Sequence, residues 1–213
     1  MREMTLTVPA YLDNGVWFPE THSGDFRADA VWSRAARANA IRAAAATGDK
    51  DPFAKFPEWV SEVFAGAEGT MLDAGCGYGR VAIPLLKANP GLRCIGVDAS
   101  PVMLRKFVEL AAEHAVADRV DLFCGNVDAL PFPEAHFDFV LSCAVLLHLP
   151  KTDVRGVLRE FRRVLAGDGR LVLAGSFPNA LNPEGVSNIR HNFTATTNGP
   201  VRADDKDTHQ PAS

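Results

Sequence analysis

Between residues 70 and 175, five short apolar runs alternate with three stretches of helical periodicity, and this alternation leaves the chain few architectures to choose from. TMLDA (70–74), RCIGV (93–97), VDLFC (120–124), FDFVLS (137–142) and RLVLA (170–174) read as strands. The intervening Gly79 to Ala88, Pro101 to Ala115 and Thr152 to Leu165 carry apolar residues at three- and four-residue spacing. Ser100 and Pro101 supply a cap and a first-turn proline for the second of these helices. Strands that are apolar on both faces and separated by helices belong to a parallel sheet covered on both sides. The expected fold is therefore α/β, a doubly wound and mainly parallel sheet.

The flanks differ in character. Residues 1–66 form an N-terminal helical extension: Arg27 to Thr47 is rich in alanine and arginine, Gly48 stops it, and Pro57 opens a second short helix through Phe64. Tyr11, Trp17 and Phe18 lie among turn formers ahead of it and either pack the extension onto the domain or cap its site. The α/β domain spans 67–178. Beyond it, 179–213 is loop-rich, and its last dozen residues have the composition of a disordered tail.

Composition narrows the partners. At 213 residues with 47% hydrophobic and 23% charged content, the chain is an ordinary globular protein of one domain with an appendage. A net charge of −4 gives no support to a nucleic-acid or anionic-membrane partner. No apolar run approaches the roughly 18 residues of a membrane helix, and the N-terminus lacks the apolar core of a signal peptide. Cys76, Cys94, Cys124 and Cys143 are widely spaced with no CxxC pair, so we expect free thiols, no metal site and a cytoplasmic protein.

The ligand is read from two features. Gly75, Gly77 and Gly79 follow the first strand in the pattern DxGxGxG, at the place where ligands of open parallel sheets bind. A dinucleotide fold would use GxGxxG, but Arg80 occupies the place of the last glycine, and no GKS or GKT marks a P-loop. Asp98 closes the second strand 19 residues after Gly79, where a carboxylate can accept both hydrogen bonds of a ribose diol. The pocket is built for a nucleoside.

The segments LDAGCGYGR, GVDASPVML, GNVDALPFPEAHFDFVLS with LLHL, and RRVLAGDGRLVL together resemble the class I S-adenosylmethionine-dependent methyltransferases, most closely the small-molecule group that includes the ubiquinone and menaquinone biosynthesis enzymes. The resemblance covers about Gly69 to Ser176. It implies a Rossmann-like fold and S-adenosyl-L-methionine as cofactor, with S-adenosyl-L-homocysteine as product. It further implies that Asp73 and the backbone of Gly75 hold the methionine amino end and that Gly77 and Gly79 leave the cofactor room. Asp98 would bind the ribose, with Ala99 beside the adenine. Asn126 stands where the family commonly has Asp; its side-chain carbonyl can still accept from the adenine amino group, while the amide of Val127 reaches a ring nitrogen. The main chain around Ser142 and Cys143 would line the methionine portion. Family members normally continue past the fifth strand into a helix and an antiparallel hairpin. No strand pair is visible here, so the fifth strand is expected either to form an exposed edge or to end a fragment.

Methyl transfer from a sulfonium asks the protein mainly for alignment of two substrates. His148, in LLHL, is the one titratable group expected near the transferred methyl, as a catalytic base or as a group that orients the loop. His191 is a weaker candidate. Arg155, Arg159, Arg162 and Arg163 are expected on a solvated helix face, given the interleaved Asp153 and Glu160. The acceptor would be a small molecule such as a lipid, a quinone-like compound or a secondary metabolite. A relative that binds the nucleoside without turnover is the alternative, and a nicotinamide oxidoreductase is disfavoured by Arg80.

Overall fold

The computed structural model describes residues 4–21, 58–149, 151–174 and 193–196. The five expected strands are present as β3 (Gly69–Ala74), β4 (Leu92–Asp98), β5 (Val120–Cys124), β6 (Phe137–Cys143) and β7 (Leu165–Ala174). Between and before them lie α1 (Glu58–Val63), α2 (Ala82–Ala88), α3 (Pro101–Glu113) and α4 (Lys151–Val164). At the start of α3, Ser100 accepts a hydrogen bond from the Met103 amide and Pro101 occupies the first turn, where no amide is needed.

β5, β4, β3, β6 and β7 pair in parallel in that order, so the sheet reverses direction of growth between β3 and β6. Its two faces are covered separately. One core cluster gathers Phe64, just past α1, with Leu85 and Leu86 of α2 and Phe107 of α3. The other gathers Val157 and Phe161 of α4 with Phe132 and Phe137. Burial of each such side chain stabilises the fold by about 1.5–3 kcal/mol.

Three elements differ from the sequence expectation. Ahead of the helical segments, β1 (Ala10–Asp13) and β2 (Val16–Pro19) form a hairpin, and β2 joins β5 in parallel through Trp17 and Phe123. Its two-residue turn is Asn14–Gly15, both at positive φ (48° and 80°), the conformation that matches strand twist in a tight hairpin. Phe18 is buried and stacks on Tyr11 at 5.6 Å, so these aromatics serve packing of the hairpin. Second, β8 (Phe193–Thr196) pairs antiparallel with β7, from Arg170↔Thr196 to Leu173↔Phe193. The fifth strand of the motif is therefore covered, which corrects the expectation of an exposed edge. Third, α4 ends one residue early because Leu165 already pairs with Phe137 at the start of β7, ahead of a bulge. The expected helix at 27–47 and His191 lie outside the described residues.

Candidate active site

The segments that follow β3, β4, β5 and β6 converge at the carboxyl ends of the strands, on the point where strand order reverses, and enclose a cavity of about 670 Å³. This is where open α/β sheets bind ligands. Asp73, Gly75, Gly77, Asp98, Ala99, Asn126, Val127, Cys143 and His148 all line it. Gly79 does not line the cavity.

The glycine turn explains that difference. Gly75, Gly77 and Gly79 all have positive φ (81°, 54° and 83°), which side-chain-bearing residues rarely adopt. A Cβ on Gly79 would sit 2.5 Å from the Phe107 ring, so this glycine lets α3 pack against the turn and makes no room for a ligand. At Gly75 a Cβ would run into the Val145 side chain. Two of the three glycines thus answer to the protein's own packing.

Asp98 is held by the same turn. Its Oδ2 accepts from the Gly77 amide at 2.9 Å and its Oδ1 from the Ser100 amide at 2.8 Å. Each carboxylate oxygen retains acceptor capacity beyond its one backbone bond. Burial raises the Asp98 pKa, and the two amide bonds oppose that rise.

Asp73 is more unusual. It is 2% exposed, and its Oδ2 is buried with no hydrogen-bond partner among the described residues. Burial pushes its pKa up to about 7, helped by the nearby Asp98 charge and opposed by Arg80. A buried carboxyl oxygen without a donor, on a residue that lines a cavity, can accept from a cation or a donor of a ligand.

The wall after β6 carries Cys143, whose Sγ lies 3.7 Å from an Arg80 guanidinium nitrogen. Burial raises this thiol's pKa and Arg80 opposes the rise. Ser142 points elsewhere, donating to the Ala74 carbonyl at 3.1 Å in a buried position. His148 is exposed at the edge of the cavity, on the 3₁₀ turn Leu146–His148, and desolvation lowers its pKa from 6.5. After β5, Asn126 is exposed and Val127 is buried.

Sequence reasoning missed several lining residues: Tyr78, Arg80, Asp128 and Leu149, together with Asp153 and Val157 from α4. The two helix residues carried no sequence signal, because only the fold brings α4 to this end of the sheet. Among the described residues the cavity is lined by four carboxylates, those of Asp73, Asp98, Asp128 and Asp153, against a single Lys or Arg, Arg80. No group of three or more His, Cys, Asp or Glu side chains among the described residues is arranged to hold a metal ion. The four cysteines are free.

Residues 71–169 match the protein family described as methyltransferase domain. This segment is a class I S-adenosylmethionine-dependent methyltransferase domain. Its sequence is similar to the uncharacterized methyltransferase YcgJ of Bacillus subtilis (strain 168), 37% identical over 112 residues that cover 52% of this chain and 42% of that protein. Demethylmenaquinone methyltransferase of Lactiplantibacillus plantarum is 36% identical over 115 residues, covering 53% of this chain and 47% of that protein. The methyltransferase domain also superposes on the PH0226 protein of Pyrococcus horikoshii OT3 with a TM-score of 0.53 at 28% identity, covering 60% of this chain and 58% of that one. The chain thus spans less than half the length of these two curated relatives. No helix among the described residues is long and apolar enough to cross a membrane.

Proposed function

We propose that this chain transfers a methyl group from S-adenosyl-L-methionine to a small-molecule acceptor of the quinone-like, lipid or secondary-metabolite kind, in the cytoplasm. The observation that carries the reading is the unpartnered, buried Oδ2 of Asp73, a residue that lines the same cavity as the doubly anchored Asp98.

The residues present fit the cofactor. Asp73 offers an acceptor to the methionine ammonium, and the Gly75 backbone lies beside it in the cavity wall. Asp98, immobilised by two backbone amides, offers its remaining lone pairs to a ribose diol. Ala99 lines the wall next to it, the Asn126 carbonyl suits the adenine amino group, and the Val127 amide suits a ring nitrogen. Cys143 borders the methionine side. The preponderance of carboxylates favours a cationic sulfonium and disfavours a dinucleotide pyrophosphate.

When bound, the cofactor supplies an electrophilic methyl group on a sulfonium. The protein's own contribution is alignment and exclusion of water, and positioning of this kind supplies on the order of 7–11 kcal/mol. His148, with its pKa held below the ordinary value, is neutral at pH 7 and able to take a proton from an acceptor hydroxyl at the cavity edge. Demethylmenaquinone methyltransferase among the relatives makes hydroxylated naphthoquinols the first acceptors to try.

The test has two readouts on the purified chain. S-adenosylhomocysteine at about 100 times its Kd should add roughly 2.7 kcal/mol, a rise in Tm on the order of 5–10 °C for this size, with no response to NADH. Labelled methyl should then pass from S-adenosylmethionine to a naphthoquinol or another acceptor of the classes above. Absence of a thermal response would sink the cofactor reading; binding without transfer to any acceptor would sink the catalytic one.

A further inference from the structure

We propose that Arg163 and Glu160 are positioning residues that hold the loop carrying Asn126 and Val127, and thereby set both the affinity for the cofactor and the selectivity for its adenine base. The inference rests on the reading of that loop as the adenine wall.

The loop between β5 and β6 runs from residue 125 to 136, a long connection without regular structure. Its first part, Gly125 to Asp128, lines the cavity. Its second part plugs the core with Leu130 and Phe132. Such a loop needs partners for its backbone groups: the Thr7 amide donates to the Pro131 carbonyl at 2.8 Å, and α4 serves Leu130 and Phe132 on either side from two side chains. Arg163 donates from Nη1 to the Phe132 carbonyl at 2.7 Å and from Nη2 to the Leu130 carbonyl at 2.9 Å. Glu160 Oε2 accepts from the Leu130 amide at 3.1 Å. The two side chains lock each other by a bidentate pair, Nε to Oε1 at 2.9 Å and Nη2 to Oε2 at 2.7 Å. Both are partly buried, with side chains 30% and 22% exposed.

This is more than a helix-surface ion pair. An exposed pair three residues apart stabilises a helix by about 0.2–0.5 kcal/mol, whereas here the fork is directed at three backbone groups of another segment. It also corrects the sequence expectation that Arg163 belongs to a solvated face. On the far side of the cavity-lining stretch, the Gly125 amide donates to the Asp98 carbonyl at 3.0 Å. Asn126 and Val127 are therefore held between the ribose-side strand at one end and the Arg163–Glu160 pair at the other. α4 itself presents Asp153 and Val157 to the cavity, about two turns and one turn ahead of Glu160 respectively. One helix thus forms one wall and fixes its distance to the adenine wall.

The experiment measures Kd by calorimetry for S-adenosyl-L-homocysteine and for S-inosyl-L-homocysteine, which lacks the exocyclic amino group of adenine. It uses wild type, Arg163→Met, Arg163→Lys and Glu160→Gln. Wild type is expected to prefer the adenosyl ligand by tenfold or more. Arg163→Met should weaken that ligand at least tenfold and bring the ratio of the two constants close to one. Arg163→Lys, which reaches one carbonyl but cannot fork to both, should fall between, as should Glu160→Gln. A role confined to stability would lower Tm and leave the ratio untouched, so an unchanged ratio in the folded variants overturns the inference. If Arg163→Met does not fold, the other two variants decide the matter. Wild type that binds neither ligand refutes the proposed function instead, and is thereby distinguished from failure of the positioning role alone.

Discussion

Asp73→Asn should make the ligand-free protein more stable at alkaline pH while destroying its affinity for the cofactor. In the folded state burial raises this carboxyl from 3.8 to about 7. Each tenfold change in proton affinity is about 1.4 kcal/mol, so keeping Asp73 ionised costs the fold about 4 kcal/mol above neutrality. The sign follows from proton counts: between pH 3.8 and 7 the folded chain holds a proton here that the unfolded chain has lost, so stability falls as pH rises through that window. Asn carries no such penalty. The advantage of Asp73→Asn over wild type should therefore grow by about 3 kcal/mol between pH 5 and pH 8, since only the stretch up to about 7 contributes. Titrating groups that are not coupled to Asp73 cancel in that comparison. Urea unfolding of both proteins at the two pH values measures it, with m-values checked for equality. The same variant should lose binding of S-adenosylhomocysteine. A pH-independent difference between the two proteins would refute the claim that Asp73 is buried without compensation; undiminished ligand affinity would refute its role at the ammonium.

Three further outcomes follow from the same geometry. Asp98→Asn should weaken S-adenosylhomocysteine by 10-fold or more, because hydrogen bonds to a charged acceptor contribute about 1.5–3 kcal/mol; calorimetry giving near-normal affinity would remove the ribose assignment. Gly79→Ala places a methyl against the Phe107 ring at a positive φ, so it should lose about 2–4 kcal/mol of stability in urea unfolding, while folded molecules keep their Kd because Gly79 lies outside the cavity. His148→Gln should flatten the acid limb of the kcat/KM profile below pH 6.5, the limb expected where His148 gains its proton; a limb that persists in the variant assigns it to another group.

Much of this protein is legible in its sequence because the signals are local. The five strands are buried, period-free apolar runs, and each falls within a few residues of its expected place; the largest difference is at β7, whose first half follows α4 without a loop. DxGxGxG, Asp98 and the Asn126–Val127 pair stand at the carboxyl ends of strands or just past them, and a parallel sheet brings all strand ends to one rim. The N-terminal hairpin carries a local signal too, since Asn14–Gly15 between short strands is a strong turn signal, but the aromatics around it read either as packing of a helical extension or as a cap over the site. β8 was not. Four residues, FTAT, have no period to read until β7 offers them an edge.

What the chain order alone could not express is which groups face each other across the sheet. Alternation of apolar runs determined a doubly wound domain, and the spacing of glycines and acids determined a nucleoside-type cofactor, because both depend on neighbours within a few residues. Tertiary structure decided the rest. It turned Gly79 from a ligand-facing position to a helix-packing one by bringing Phe107 onto it. It left Asp73 Oδ2 with no donor among the described residues, and it directed Arg163 onto carbonyls more than 30 residues earlier in the chain. Burial and hydrogen-bond partnership are set by contacts between distant segments, and no local pattern carries them.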